Sequence, residues 1–131
     1  MGRLNKKGDL KMSLLDNSIL NDVKKKLGLE DIDSFDIDVL SCINTALNKL
    51  TQLGVGPNEG FIISDDTAKW SDFFDDVRLY MIVEYVFMYV KTSFDPSASA
   101  TLMDCYRSKM DELEWRIREM ADPDRKGFKD E

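Results

Sequence analysis

Histidine is absent from this chain of 131 residues. With it go the usual general base, the Ser-His and Cys-His nucleophile pairs and most catalytic zinc sites. Only two cysteines occur, Cys42 and Cys105, far apart and each within a helix-like stretch. They make neither a disulfide framework nor a zinc ligand set, and both read as small core residues that suit a reducing compartment. No apolar run reaches the roughly 18 residues that a membrane-spanning helix needs. The nearest, Val77 to Val90, is interrupted by Arg78 and Glu84. The basic N-terminus (Arg3, Lys6, Lys7, Lys11) lacks the apolar stretch and small-residue cleavage site of a signal peptide, so a soluble, unexported protein is expected. Cationic charge is also short, 18 Lys and Arg against 25 Asp and Glu for a net charge of −7. Neutralising a phosphate backbone takes clustered cations, which makes nucleic acid a poor default ligand. An acidic lining could still keep a passing duplex sliding.

What is present is enough for one core. The chain is 43% hydrophobic, long enough to bury a single domain and too short for two. Residues 1–13 read as a disordered leader, with Met12 where an alternative start could lie, residues 14–121 as a helical domain, and residues 122–131 as a flexible tail. Asp16 or Asn17 can cap a first helix carrying Ile19, Leu20, Val23 and Leu27, which Gly28 ends. Lys24, Lys25 and Lys26 fall in its last turn, where cations suit the helix dipole. Ser34 or Asp36 opens a second helix with Leu40, Ile43, Leu47 and Leu50 as its stripe, ending at Gly54.

From Gly54 to about Phe74 the helical period is lost. A turn-rich Gly54-Val55-Gly56-Pro57-Asn58-Glu59-Gly60 leads into a short β-type run, Phe61-Ile62-Ile63. So long a connection is expected to be a functional arm, exposed and with little to bury. It is acidic, with Glu59, Asp65, Asp66 and Asp72, then Asp75 and Asp76, against the lone Lys69. Val77 to Ser93 is apolar nearly all round, which marks a central helix with Val83 and Phe87 inside. Phe94-Asp95-Pro96 breaks it. Ser97 or Ser99 then caps a last helix whose stripe is Leu102, Tyr106, Met110, Leu113, Ile117 and Met120. The fold class is therefore all-α, a compact bundle of about four helices with one long arm between the second and third.

The motifs offer little chemistry. Asp65-Asp66 and Asp75-Asp76 lack the ligand ladder of a calcium loop and read as solvated charges and helix-start residues. Gly54-Val55-Gly56-Pro57 follows a helix rather than a strand and lacks a downstream Gly-Lys-Ser/Thr, so it is a turn and not a phosphate loop. The first two helices could pass for a helix-turn-helix, but the second begins Asp36-Ile37-Asp38, and acids there repel phosphates. No catalytic, metal or cofactor site is expected. The candidate interface comprises Phe61, Trp70, Tyr80, Asp65, Asp66 and Asp72, with the aromatics as anchors. For Phe61 and Trp70 the alternative is that they fold back onto the domain's own core.

Several strings in order resemble the phage head-tail connector family, also called head-completion or adaptor proteins. They are Leu50-Thr51-Gln52-Leu53-Gly54-Val55-Gly56-Pro57, Glu59-Gly60-Phe61, Asp66-Thr67-Ala68-Lys69-Trp70, Phe94-Asp95-Pro96 and Glu114-Trp115-Arg116, spread over about Leu14 to Ala121. Ser97 stands where relatives often carry a second proline, and the basic leader has no counterpart. The resemblance implies a structural subunit of a ring, commonly dodecameric, docked beneath the portal protein and extending the DNA channel toward a downstream tail-joining protein. DNA would be passing cargo, and the location the virion after assembly in the host cytoplasm. A small helical module binding a single host or phage protein is the competing class, distinguished by not self-assembling. An enzyme using the acidic arm with a divalent metal is a poorer third.

Overall fold

The computed structural model describes residues 16–74, 79–94 and 99–121, and within them five helices: α1 Ile19–Leu27, α2 Asp36–Gln52, α3 Trp70–Phe73, α4 Leu79–Phe94 and α5 Ala100–Ala121. The bundle of four longer helices matches the all-α expectation, and α3 is a single turn inside the arm. The leader and tail, and the paired acids Asp75 and Asp76, lie outside the described residues.

Each helix end has a local cause. Ser18, rather than Asp16 or Asn17, caps α1, its hydroxyl accepting from the Asn21 N–H at 3.2 Å. Gly28 ends α1 at φ 79°, the left-handed conformation that costs glycine nothing. Ser99 starts α5 by accepting from the Leu102 N–H at 3.2 Å. α2 begins after Phe35 without a side-chain cap and instead places Asp36 and Asp38 in its first turn, where carboxylates face the positive end of the helix dipole.

The helix α4 packs on α1, α2 and α5, and it buries Leu79, Ile82, Val83, Tyr85, Val86 and Val90. Its centrality follows from its composition, since no polar face competes for the core. Phe87, expected inside with Val83, is only half-buried, because it projects from the side where Glu84 and Met88 also stay partly open. The α5 stripe is shifted by one residue at its start. Met103 is buried and Leu102 exposed, so the inward line runs through Met103, Met110, Leu113 and Ile117. Tyr85 crosses from α4 to α5, its hydroxyl donating to Glu114 Oε2 at 2.7 Å, and burial together with that carboxylate holds the phenol well above its usual range. Of the two cysteines expected in the core, Cys42 is half-buried, with burial raising its thiol pKa, and Cys105 is exposed on the outer side of α5.

Lys24 does not act as a solvated dipole cation. Its side chain is buried, and its ammonium lies 2.8 Å from Asp36 Oδ1 and 3.0 Å from Asp33 Oδ1, tying α1 to the start of α2. The Asp36 contact is the main cause that raises the Lys24 pKa above its ordinary 10.5, outweighing burial. A folded-state pKa above the unfolded one means that this stabilisation is complete below pH 10.5 and fades as pH climbs through the raised value. Asp33 is almost fully exposed, so most of the worth lies in the half-screened Asp36 pair.

Two measurements check this packing. Ile82→Ala removes a fully buried side chain and is expected to cost about 2–5 kcal/mol in denaturant unfolding, whereas Phe87→Ala should cost clearly less. Lys24→Met should cost about 1.5–3 kcal/mol near neutrality, and its deficit relative to wild type should shrink above pH 10.5. A deficit unchanged at high pH would remove the ion pair from the account.

Candidate interaction surface

The arm between α2 and α4 carries most of the residues expected to make contacts, and its backbone route decides which of them are available. Leaving α2, the chain turns through Gly56, whose absent side chain matters: a Cβ there would lie 2.5 Å from Cε1 of Phe73. The Phe73 ring sits in that space, and Phe61 packs against it with ring centroids 5.3 Å apart. From Phe61 to Ser64 the chain forms neither helix nor turn, and burial alternates by residue as in an extended run: Phe61 half-buried, Ile62 exposed, Ile63 buried, Ser64 exposed. This is the β-type run of the sequence, yet it pairs with no strand among the described residues. Its partner is a side chain. Asn44 of α2 accepts from the Ile63 N–H at 2.8 Å and donates to the Ile63 carbonyl at 2.9 Å, supplying from one amide the two bonds that a neighbouring strand would give.

The far end of the arm is tied to the start of α1. Ile19 N–H donates to the Ala68 carbonyl at 3.0 Å and Trp70 N–H to that of Asn17 at 3.2 Å, forming an antiparallel bridge between Ser18 and Lys69. The Trp70 indole lies fully inside, and its N–H donates to Asp22 Oδ2 at 3.0 Å. This satisfies the one polar atom of the largest buried side chain.

These anchors correct the expectation of an exposed arm with little to bury. Val55, Ile63, Trp70 and Phe73 all belong to the main core. Shortening the arm would therefore excavate the domain rather than leave its stability unchanged. Of the two alternatives for Trp70 and Phe61, the structure takes the inward one, fully for Trp70 and partly for Phe61.

The other candidates stand outside. Tyr80, in the first turn of α4, is 63% exposed. Asp65 is exposed and folds a local turn, its Oδ1 accepting from the Thr67 hydroxyl at 2.6 Å and N–H at 3.0 Å, which together hold its carboxyl below the ordinary range. Asp66 is exposed. Asp72 is exposed too, although its Oδ2 is spent on capping α3 by accepting from the Lys69 N–H at 2.9 Å. Glu59, Asp65 and Asp66 are thus the described acids of the arm that cap no helix.

Sequence reasoning missed several exposed apolar residues. Ile62 is 79% exposed at the crest of the arm, and Ile37 is 81% exposed at the start of α2, with Ile32 and Phe35 beside it in sequence and also open. Trp115 on α5 is 58% exposed. Ile37 was legible in principle, flanked by Asp36 and Asp38 and out of step with the inward stripe of α2. Among the described residues no group of three or more acidic or sulfur side chains is placed to hold a metal ion, and no helix is long and apolar enough to cross a membrane.

The Asn44 clamp generates a direct test. Asn44→Ala leaves the Ile63 N–H and carbonyl without partners, at about 1–3 kcal/mol for an unsatisfied buried polar group, and amide exchange at Ile63 should accelerate while the α4 amides stay slow. Uniform acceleration throughout the domain would instead make the arm part of one indivisible unit.

A surface that is acidic and studded with apolar residues, on a body whose interior is already complete, is suited to contact with other proteins rather than to catalysis. Comparison with known proteins agrees. A family model described as Phage connector protein matches residues 19–124, from the first residue of α1 to beyond the end of α5. No curated protein and no solved structure matches the chain. The match spans most of the sequence, and the chain belongs to the phage connector protein family, a structural family of the phage particle and not an enzymatic one.

Proposed function

We propose that the chain is a subunit of a head-tail connector ring that docks beneath the portal protein and extends the DNA channel toward the tail-joining protein. The observation that carries this reading is the division of the arm into two sides. Its inner side, through Ile63, Trp70 and Phe73, is locked into the core, and its outer side offers Ile62 with Asp65 and Asp66. A segment so fixed presents its outer residues in a set geometry, which lowers the ordering cost of joining. Tyr80 and Ile37 add open apolar area on neighbouring elements, and copies arranged in a ring have such area to cover. The net charge of −7 suits a channel through which a duplex must pass without adhering.

Under this reading Trp70 is a positioning residue for the arm, and Ile62 and Tyr80 are the contacts. Ile62→Asp and Tyr80→Asp should leave circular dichroism and thermal unfolding of the purified subunit nearly unchanged, because both side chains already face water. In a phage carrying either change, heads should fill with DNA and then fail to gain tails or lose their genome, scored by electron microscopy and plaque yield. Normal yields from both variants would move the joining face elsewhere, and a subunit that never self-associates or binds heads would leave a one-to-one binding module as the better reading.

A further inference from the structure

The geometry points to a docking groove for an extended cationic peptide along the arm, occupied in the free subunit by the chain's own residues 3–11. One wall is the polar stripe Ser41, Thr45 and Asn48 of α2 and the other is Glu59 to Ile62. Along that second wall the backbone is open. Asn44 binds both polar groups of Ile63, whereas Phe61, Ile62 and Ser64 make no backbone hydrogen bond with any described residue. An extended run with unused N–H and C=O groups accepts another strand by main-chain pairing. The exposed Ile62 offers an apolar contact to such a strand.

Charge selects the occupant. Glu59 lines the groove, Asp65 and Asp66 stand exposed just beyond it, and no Lys or Arg is among its lining residues. Pairing of two arms would set these carboxylates against each other. The segment Arg3-Leu4-Asn5-Lys6-Lys7-Gly8-Asp9-Leu10-Lys11 has the opposite character, with a net charge of +3 and two leucines that can lie beside Ile62. Since the chain totals −7, everything after residue 15 stands at −10. The C-terminal alternative fits less well, because Arg125, Lys126 and Lys129 are outweighed by Asp122, Asp124, Asp130 and Glu131.

Entry also favours residues 3–11. At Asn17 and Ser18 the chain is already paired with the end of the arm, through the bridge to Lys69 and Trp70. At roughly 3.3 Å per extended residue, the stretch before Asn17 spans several times the width of a helix, so Leu4 and Leu10 are within reach of Ile62. The groove is then covered in the lone subunit and free for a partner's cationic strand once the leader is displaced.

Amide exchange measured by NMR on the full chain at low salt tests this. Phe61, or the alternating pair Ile62 and Ser64, should exchange about tenfold or more slowly than in the Lys6→Glu/Lys7→Glu variant, while Ile63, bonded to Asn44, serves as an unchanged reference. Adding Glu59→Lys and Asp66→Lys to that variant should restore the protection, and high salt should abolish it in the wild type. Exchange at intrinsic rates in the wild type, or protection indifferent to the charge of residues 6 and 7, overturns the proposal. Protection that grows with protein concentration overturns it as well, since the groove would then hold a second copy.

Discussion

The arm can pack inside a helical bundle only because its buried backbone has somewhere to hydrogen-bond. A loop that enters a core carries N–H and C=O groups that no helix satisfies, and each left bare costs a sizeable fraction of a domain's net stability. Asn44 meets that demand at Ile63, and the bonds of the antiparallel bridge meet it at Ile19 with Ala68 and at Trp70 with Asn17. With those points fixed, Trp70 and Phe73 join the same core cluster as the inward residues of α1, α2 and α4. The outer residues of the arm inherit their placement from these inner ones.

A second tie, the buried Lys24 with Asp36, acts at the opposite end of α1 from the bridge. Helix α1 is only nine residues long and could not hold its position through intrinsic propensity. Ser18 with Lys69 at one end and Lys24 with Asp36 at the other hold it against the body, so that the short helix links the arm to the α2 start. Ile37 and Ile62, the two most exposed large apolar residues among those described, are the chain neighbours of Asp36 and of Ile63, which Asn44 clamps. Rigid scaffolding beneath an open apolar residue is what a protein contact needs, and the connector reading draws on that arrangement.

Much of the fold was legible from periodicity. The apolar character of Leu79 to Val90, the Ile43, Leu47 and Leu50 stripe and the Gly28 stop each lie where short-range pattern placed them. The arm was misjudged because its burial has no period: Val55, Ile63, Trp70 and Phe73 are spaced irregularly and enter the core through tertiary contacts alone. Asn44 sits on what reads as a polar face, and nothing local distinguishes a solvated amide from one that clamps a backbone 19 residues away. Lys24 likewise looks like its neighbours Lys25 and Lys26, and only the approach of Asp36 selects it. Of the candidate contacts, the arm acids Asp65, Asp66 and Asp72 were recognisable as exposed, whereas Tyr80 lies in a helix that reads as apolar nearly all round and is nonetheless exposed. Ile62 was not singled out within the short β-type run Phe61-Ile62-Ile63, where only the structure shows that burial alternates.

The central claim is that joining covers the outer side of an arm whose inner side stays locked. Hydroxyl-radical footprinting with mass-spectrometric readout, on the free subunit and on DNA-filled heads that carry it, tests this most directly. The account predicts that Ile62 and Tyr80 label readily in the free subunit at a salt concentration that releases residues 3–11 from the groove and become shielded in the particle, with Trp70 unlabelled in both. Equal labelling of Ile62 and Tyr80 in the two states, or a Trp70 that becomes labelled on joining, would contradict it.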